Sequence, residues 1–235
     1  MRPDLPILVI TRPKPEATEF HRAIQRALGA DVETLLSPAT KIVALDVPQV
    51  PSPDHLIFTS SRGVEQAARL GLPSGTNTYC VGAKTARAAS EARQIVSYHA
   101  KDSDALLAHL LAMRPEGRIL HISGRHQRGD IVERLQAVGC QAQRVEAYDQ
   151  VAQAPSEALI AAGNGSTSLI VPLFSKRAAT ILKGWNLKAP LQVVAISQDV
   201  AKAAQAMNPE SVSIAQTKDA QGMLDATCKH LRSRV

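Results

Sequence analysis

The sequence predicts an α/β protein built of two similar five-stranded parallel domains, the second inserted into the first. Three observations carry that expectation. Short apolar runs alternate with helix-period stretches along the chain, small motifs recur at a nearly constant spacing, and two proline-marked segments interrupt the alternation.

The first apolar run, Ile7-Leu8-Val9-Ile10, is followed by Thr11-Arg12-Pro13 and by a helix-period stretch from Glu16 to Leu28 that Gly29 ends. Val32 to Leu36 reads as a second strand, after which the pattern stops at Pro48-Gln49-Val50-Pro51-Ser52-Pro53, a linker by composition. Four strand and helix units follow: Leu56 to Phe58 with 62–70, Thr78 to Val81 with 84–92, Ile95 to Tyr98 with 103–113, and Ile119 to Ile122 with 129–138. A further strand, Gln141 to Ala147, leads into Ala152-Gln153-Ala154-Pro155-Ser156, a second polar connection. Strands at Leu169 to Val171, Gln192 to Ile196 and Val212 to Ile214, each followed by a helical stretch, complete the chain.

These units repeat. Ser60-Ser61-Arg62 matches Ser175-Lys176-Arg177, and Ala86-Arg87-Ala88-Ala89 matches Ala201-Lys202-Ala203-Ala204, both offset by 115 residues. Lys101-Asp102 matches Lys218-Asp219 at an offset of 117, and Ile7 to Ile10 with Gly29 corresponds to Ile119 to Ile122 with Gly139 at 112 and 110. The offsets imply a first domain of residues 1–40 and 155–235, a second of 54–148, and crossings at 41–53 and 149–154 that form a hinge. The alternative, one ten-stranded doubly wound sheet, is opposed by the two proline-marked crossings.

Composition sets the remaining bounds. Hydrophobic residues make up 45% of the 235, but aromatics only 3%, so the cores must be aliphatic. A net charge of +6 suits an anionic ligand. Lys and Arg are spread rather than clustered, and stacking aromatics are scarce, which disfavours nucleic acid. Cys80, Cys140 and Cys228 are odd in number and lack C-x-x-C spacing, so buried thiols are expected rather than disulfides or zinc. With no run of 18 apolar residues and no signal-peptide apolar region after Met1, no membrane partner is expected and the location expected is the cytoplasm.

In open parallel sheets, ligands bind beyond the carboxyl ends of the strands, where helix N-termini present free N–H groups. Thr11-Arg12-Pro13, Thr59-Ser60-Ser61-Arg62, Gly82-Ala83-Lys84-Thr85, Ser123-Gly124-Arg125, Ser175-Lys176-Arg177 and Ser197-Gln198 all follow apolar strands. Each hydroxyl alone reads as a helix cap; the set suggests an anion-binding cleft. No dinucleotide, P-loop, zincin or nucleophile-elbow motif occurs. The seven histidines lack ligand spacing; His121 reads as a core residue and His126 as a site-edge candidate. Gly163-Asn164-Gly165-Ser166 reads as a turn.

From Ile10-Thr11-Arg12-Pro13 to the last helix the chain resembles the uroporphyrinogen-III synthase family. The resemblance rests on Leu56-Ile57-Phe58-Thr59-Ser60, Val81-Gly82 with Thr85-Ala86, Gly124 with Arg128 and Gly139, and Tyr148 before the second crossing. It implies paired flavodoxin-like domains joined by two strands. It also implies a lyase of tetrapyrrole biosynthesis that closes hydroxymethylbilane, with inversion of the last ring and loss of water, on the way to haem, chlorophyll or cobalamin. Carried over by motif, Tyr148 assists departure of the hydroxyl, with a tyrosine that merely fills the hinge as the alternative. Arg12, Thr59, Ser60, Arg62, Gly82, Thr85, Ser123, Gly124, Arg128, Ser175 and Lys176 would hold carboxylates. No cofactor or metal is implied. The implied partners are the polycarboxylate substrate and, transiently, hydroxymethylbilane synthase, with the chain a monomer. The family's Gly-x-x-Thr-Ala turn is replaced in the first domain by Ser197-Gln198-Asp199-Val200-Ala201, and Asp199 is poorly placed for a polyanion. A noncatalytic cytoplasmic sensor of anions or tetrapyrroles is the competing function.

Overall fold

The computed structural model describes residues 5–126 and 129–232. In chain order the elements are β1 (Ile7–Ile10), α1 (Glu16–Leu28), β2 (Thr34–Leu36), β3 (Thr40–Ala44), β4 (His55–Phe58), α2 (Ser61–Arg69), β5 (Asn77–Val81), α3 (Ala83–Glu91), β6 (Ile95–Ala100) and α4 (Ser103–Met113). They continue as β7 (Arg118–Gly124), α5 (Ile131–Ala137), β8 (Gln141–Ala152), α6 (Glu157–Gly163), β9 (Leu169–Leu173), α7 (Lys176–Lys183), β10 (Leu191–Ala195), α8 (Gln198–Ala204), β11 (Ser211–Ile214) and α9 (Ala220–Arg232). Two compact units result, Met1–Lys41 with Val151–Val235, and Ile42–Gln150.

In the discontinuous unit the sheet order is β11-β10-β9-β1-β2, all parallel. Its central strands are apolar on both faces because helices cover both. Val9, Val171 and Val193 join one buried cluster with α7 and α8, while Leu8, Ile10, Ile170 and Val194 join another with Phe20 and Ile24 of α1 and Met223 and Leu231 of α9. Gly29 ends α1 at φ 67, where its N–H bonds to the Gln25 carbonyl.

In the continuous unit the order is β3-β8-β7-β4-β5-β6. Leu56, Phe58, Leu120 and Ile122 pack against Val64 and Ala67 of α2 and Ala86 and Ala89 of α3; Ile57, Tyr79 and Ile119 pack against Leu106 and Leu110 of α4 and Leu135 of α5. Matching β4, β5, β6, β7 and β8 to β9, β10, β11, β1 and β2 makes the two strand orders identical, which accounts for the repeat offsets.

This sheet departs from the five strands expected. Thr40–Ala44, which falls almost wholly in the crossing of residues 41–53, is strand β3, and β8 runs on to Ala152, a strand pair of the kind the resemblance implied. The N–H of Leu45 bonds to the Ala147 carbonyl and that of Gln153 to the Ala39 carbonyl, so partner numbers fall as the chain rises and the pair is antiparallel. Backbone bonds hold this ribbon without a buried apolar face, since Lys41, Val43 and Ala44 are exposed. A hydrophobic pattern could not reveal it.

Two buried positions yield tests. A Cβ on Gly63 of α2 would lie 2.7 Å from the Ile122 carbonyl oxygen and 3.2 Å from Phe58. Since backbone cannot yield cheaply, Gly63→Ala is expected to cost about 1–3 kcal/mol in a denaturant melt. His121 on β7 is 2% exposed, and burial, with nearby Arg144 adding, lowers its pKa from 6.5 to about 4. Over that window the unfolded chain binds the proton and the folded chain does not, so stability is complete above pH 6.5 and falls as pH drops toward 4. Denaturant melts across this range should show a smaller loss in His121→Gln than in the parent.

Candidate functional site

Each sheet reverses its winding direction once. In the discontinuous unit the switch lies between β1 and β9, and in the continuous unit between β4 and β7. Crevices at the carboxyl ends of such strand pairs are where open α/β sheets bind ligands. Sequence-predicted residues flank both: Arg12 after β1 and Ser175 after β9, then Thr59 and Ser60 after β4 and Ser123 and Gly124 at the end of β7.

At the β4/β7 switch the Ser60 Oγ and Tyr148 hydroxyl are 3.0 Å apart and hydrogen-bonded, either being able to donate. Both residues are half-buried. Tyr148 gets there through an irregularity in the β7–β8 ladder. Ser123 pairs with Glu146 and Gly124 with Tyr148, so Ala147 is an extra residue on β8. The Tyr148 ring lies against Gly124, where an added Cβ would come within 2.6 Å of Cε2.

Ser60 and Ser175 begin the repeated helices α2 and α7 with nearly the same backbone, φ −157 and ψ 156 against φ −157 and ψ 152. Ser175 Oγ accepts from the Ala178 N–H as an ordinary cap, whereas Ser60 makes no side-chain cap bond. The Ser60 hydroxyl is committed to Tyr148 instead.

The other expected residues divide by environment. Thr59 is half-buried at the end of β4, and Thr85 is 5% exposed in the first turn of α3. Gly82 has φ 80, which favours glycine, and its N–H bonds to the Ala100 carbonyl, so that donor is engaged. The Arg62 guanidinium meets both Glu65 carboxylate oxygens at 3.2 and 3.1 Å, which offsets its charge. Ser123 is 1% exposed, and its Oγ accepts from Arg144 Nε at 2.9 Å. Arg128 lies outside the described residues.

At the β1/β9 switch the Arg12 guanidinium stacks 4.1 Å above the Phe174 ring, with Phe20 set edge-on to the same ring. Burial lowers the Arg12 pKa, with Glu16 and Glu19 opposing. Lys176 Nζ lies 3.1 Å from Asp199, whose carboxyl is held below its ordinary range first by the Lys176 hydrogen bond and then by that charge. The exposed lysine and the aspartate that departs from the family turn thus neutralise each other.

Sequence reasoning passed over Arg144, Phe174 and Asp149. Asp149, 9% exposed, receives Arg125 at 3.2 Å and lies 3.4 Å from His126 Nε2. A cavity of about 410 Å³ lined by Ser213, Thr217, Asp225 and Lys229 lies beside edge strand β11 rather than at a switch point. Among the described residues no group of three His, Cys, Asp or Glu side chains could hold a metal ion, and no helix is long and apolar enough to cross a membrane. Burial pushes the Cys80 thiol up to about 12, which removes it as a nucleophile at neutral pH.

Because a tyrosine ring can swing aside, Gly124→Ala should leave the thermal melt almost unchanged while displacing Tyr148. A crystal structure of the variant should show the Ser60–Tyr148 hydroxyl pair opened beyond hydrogen-bond reach.

Comparison with known proteins bears on the family and the fold. A family model for uroporphyrinogen-III synthase HemD matches residues 19–225. Among solved structures, a uroporphyrinogen-III synthetase from Helicobacter pylori superposes with a TM-score of 0.65 at 13% identity, covering 98% of this chain and 100% of that one. A mutant uroporphyrinogen III synthase from the extreme thermophile Thermus thermophilus gives 0.49 at 18% identity, covering 97% and 99%. The first shows a shared α/β fold with parallel sheets. No curated protein sequence matches. With the family model spanning most of its length, the chain belongs to the uroporphyrinogen-III synthase family.

Proposed function

We propose that this chain closes hydroxymethylbilane to uroporphyrinogen III, acting as a lyase with Tyr148 at the reacting centre. The Ser60–Tyr148 hydrogen bond at the β4/β7 switch carries the reading. A serine in the helix-capping position that gives its hydroxyl to a tyrosine holds the phenol oxygen in place. With Ser60 donating to the phenol oxygen, the Tyr148 proton is left to point at a ligand.

In the reaction the bond from the terminal methylene carbon to its hydroxyl breaks, and that oxygen leaves as water with the phenol proton. The azafulvene cation so formed is attacked by the substituted carbon of the last ring, and the spiro intermediate rearranges to the inverted ring. In that rearrangement the bond from the substituted carbon to the methylene of the third ring breaks, the free α-carbon of the last ring closes on that methylene, and the proton this carbon loses restores the phenol. Because the open substrate also cyclises unaided to the other isomer, holding the last ring in one pose contributes more than acid strength. Carboxylates of the substrate would be held by Thr59, Arg62, Thr85 and Arg128, with Arg12, Ser175 and Lys176 as further candidates. A monomer in the cytoplasm, in transient contact with hydroxymethylbilane synthase, completes the proposal.

Freshly made hydroxymethylbilane, with product isomers separated by chromatography, tests it. Isomer III is expected; isomer I alone at the spontaneous rate defeats the reading, and tight binding without turnover would favour the sensor. Tyr148→Phe should lower turnover by roughly 10- to 100-fold and Thr59→Ala by about threefold or less. Equal, small effects would remove Tyr148 from its role.

A further inference from the structure

We infer that Arg144 is a positioning residue for Tyr148, acting from the opposite face of the sheet; the inference rests on the role given to Tyr148 above. Along β7, Leu120 and Ile122 face α2 and α3 whereas Ile119 faces α4 and α5, so His121 and Ser123 share the second face by alternation. Arg144 pairs with His121 in the ladder and reaches along that face to Ser123. Tyr148 packs with the α2 and α3 cluster.

The Arg144 guanidinium gathers the end of β7. Its Nε donates to Ser123 Oγ at 2.9 Å, and its Nη2 donates to the carbonyls of Gly124 at 2.9 Å and Arg125 at 3.0 Å. Glu146 lies 3.3 Å from the same nitrogen. Three successive residues are thereby fixed by one planar fork, an arrangement that a lysine ammonium cannot reproduce. The middle residue is Gly124, against whose Cα the Tyr148 ring rests, and the N–H of Arg125 bonds to the Tyr148 carbonyl. Arg144 bonds to Ser123, Gly124, Arg125 and Glu146 rather than to the phenol or Ser60, yet it sets both the surface beneath the ring and the backbone that carries it.

Tyrosine-ring ¹³C labelling gives three residues to observe, Tyr79, Tyr98 and Tyr148, the last assigned with Tyr148→Phe. In Arg144→Ala the Tyr148 signal should move by more than its linewidth while Tyr79 and Tyr98 stay in place. Arg144→Lys should move it less. Ser123→Ala, which removes one of the three bonds, serves if Arg144→Ala does not fold. A stationary Tyr148 signal in a folded variant overturns the inference. In turnover, Arg144→Ala should lower kcat by roughly tenfold with KM within about twofold, and cost less than about threefold when Tyr148 is already Phe. Equal losses in both backgrounds also overturn it. The spectroscopic result needs no turnover, so a parent protein making only isomer I would sink the function while the ring signal still decides whether Arg144 positions Tyr148.

Discussion

The extra residue at Ala147 governs the candidate site. Strand alternation places Val145 and Ala147 toward α2 and α3, and Tyr148, the next residue, would ordinarily turn to the far side. The irregularity lets two successive residues share a face, so Tyr148 stands opposite Gly124 instead of Arg125. Glycine at 124 follows from this, as does the use of Ser60. Both depend on where the phenol arrives.

The repeat shows how one local structure serves two ends. Helices α2 and α7 start from serines with the same backbone conformation, and only the distant partner differs. Ser175 turns inward to its own helix, while Ser60 finds a hydroxyl 88 residues away in sequence. The two switch points also differ in charge. Arg12 is stacked on an aromatic ring and Lys176 is matched by Asp199, whereas the β7 end is braced by Arg144 and by the Arg125–Asp149 pair. A duplicated scaffold therefore offers unlike chemistry at equivalent strand ends.

Much of this was legible in the sequence for physical reasons. Strands covered on both faces must be apolar throughout, so Ile7 to Ile10 and Leu169 to Val171 announce themselves, and each strand–turn–helix junction puts its polar residues at a predictable place. Thr40 to Ala44 was not legible in the apolar pattern, because a ribbon held by backbone bonds needs no apolar face, and only the family resemblance implied a two-stranded connection. Nor was the choice between capping and bonding to Tyr148, which depends on contacts far along the chain. Arg144 sits in Gln141-Ala142-Gln143-Arg144-Val145-Glu146, an alternation in which it looks like any solvent-facing residue. Nothing local marks it as the brace of a neighbouring strand.

The insertion of one unit into the other bears on how the polypeptide matures as it is made. The continuous unit has its whole sheet once β8 ends at Ala152, but β1, already beside edge strand β2, has its other neighbour β9 beginning only at Leu169. An aliphatic stretch destined for complete burial must thus wait about 160 residues for its second neighbour, a delay during which one of its edges is exposed to misassembly. Nascent chains halted before Leu169 should therefore contain one finished lobe and a leading β1–β2 segment with one edge open, the natural client for a ribosome-associated chaperone.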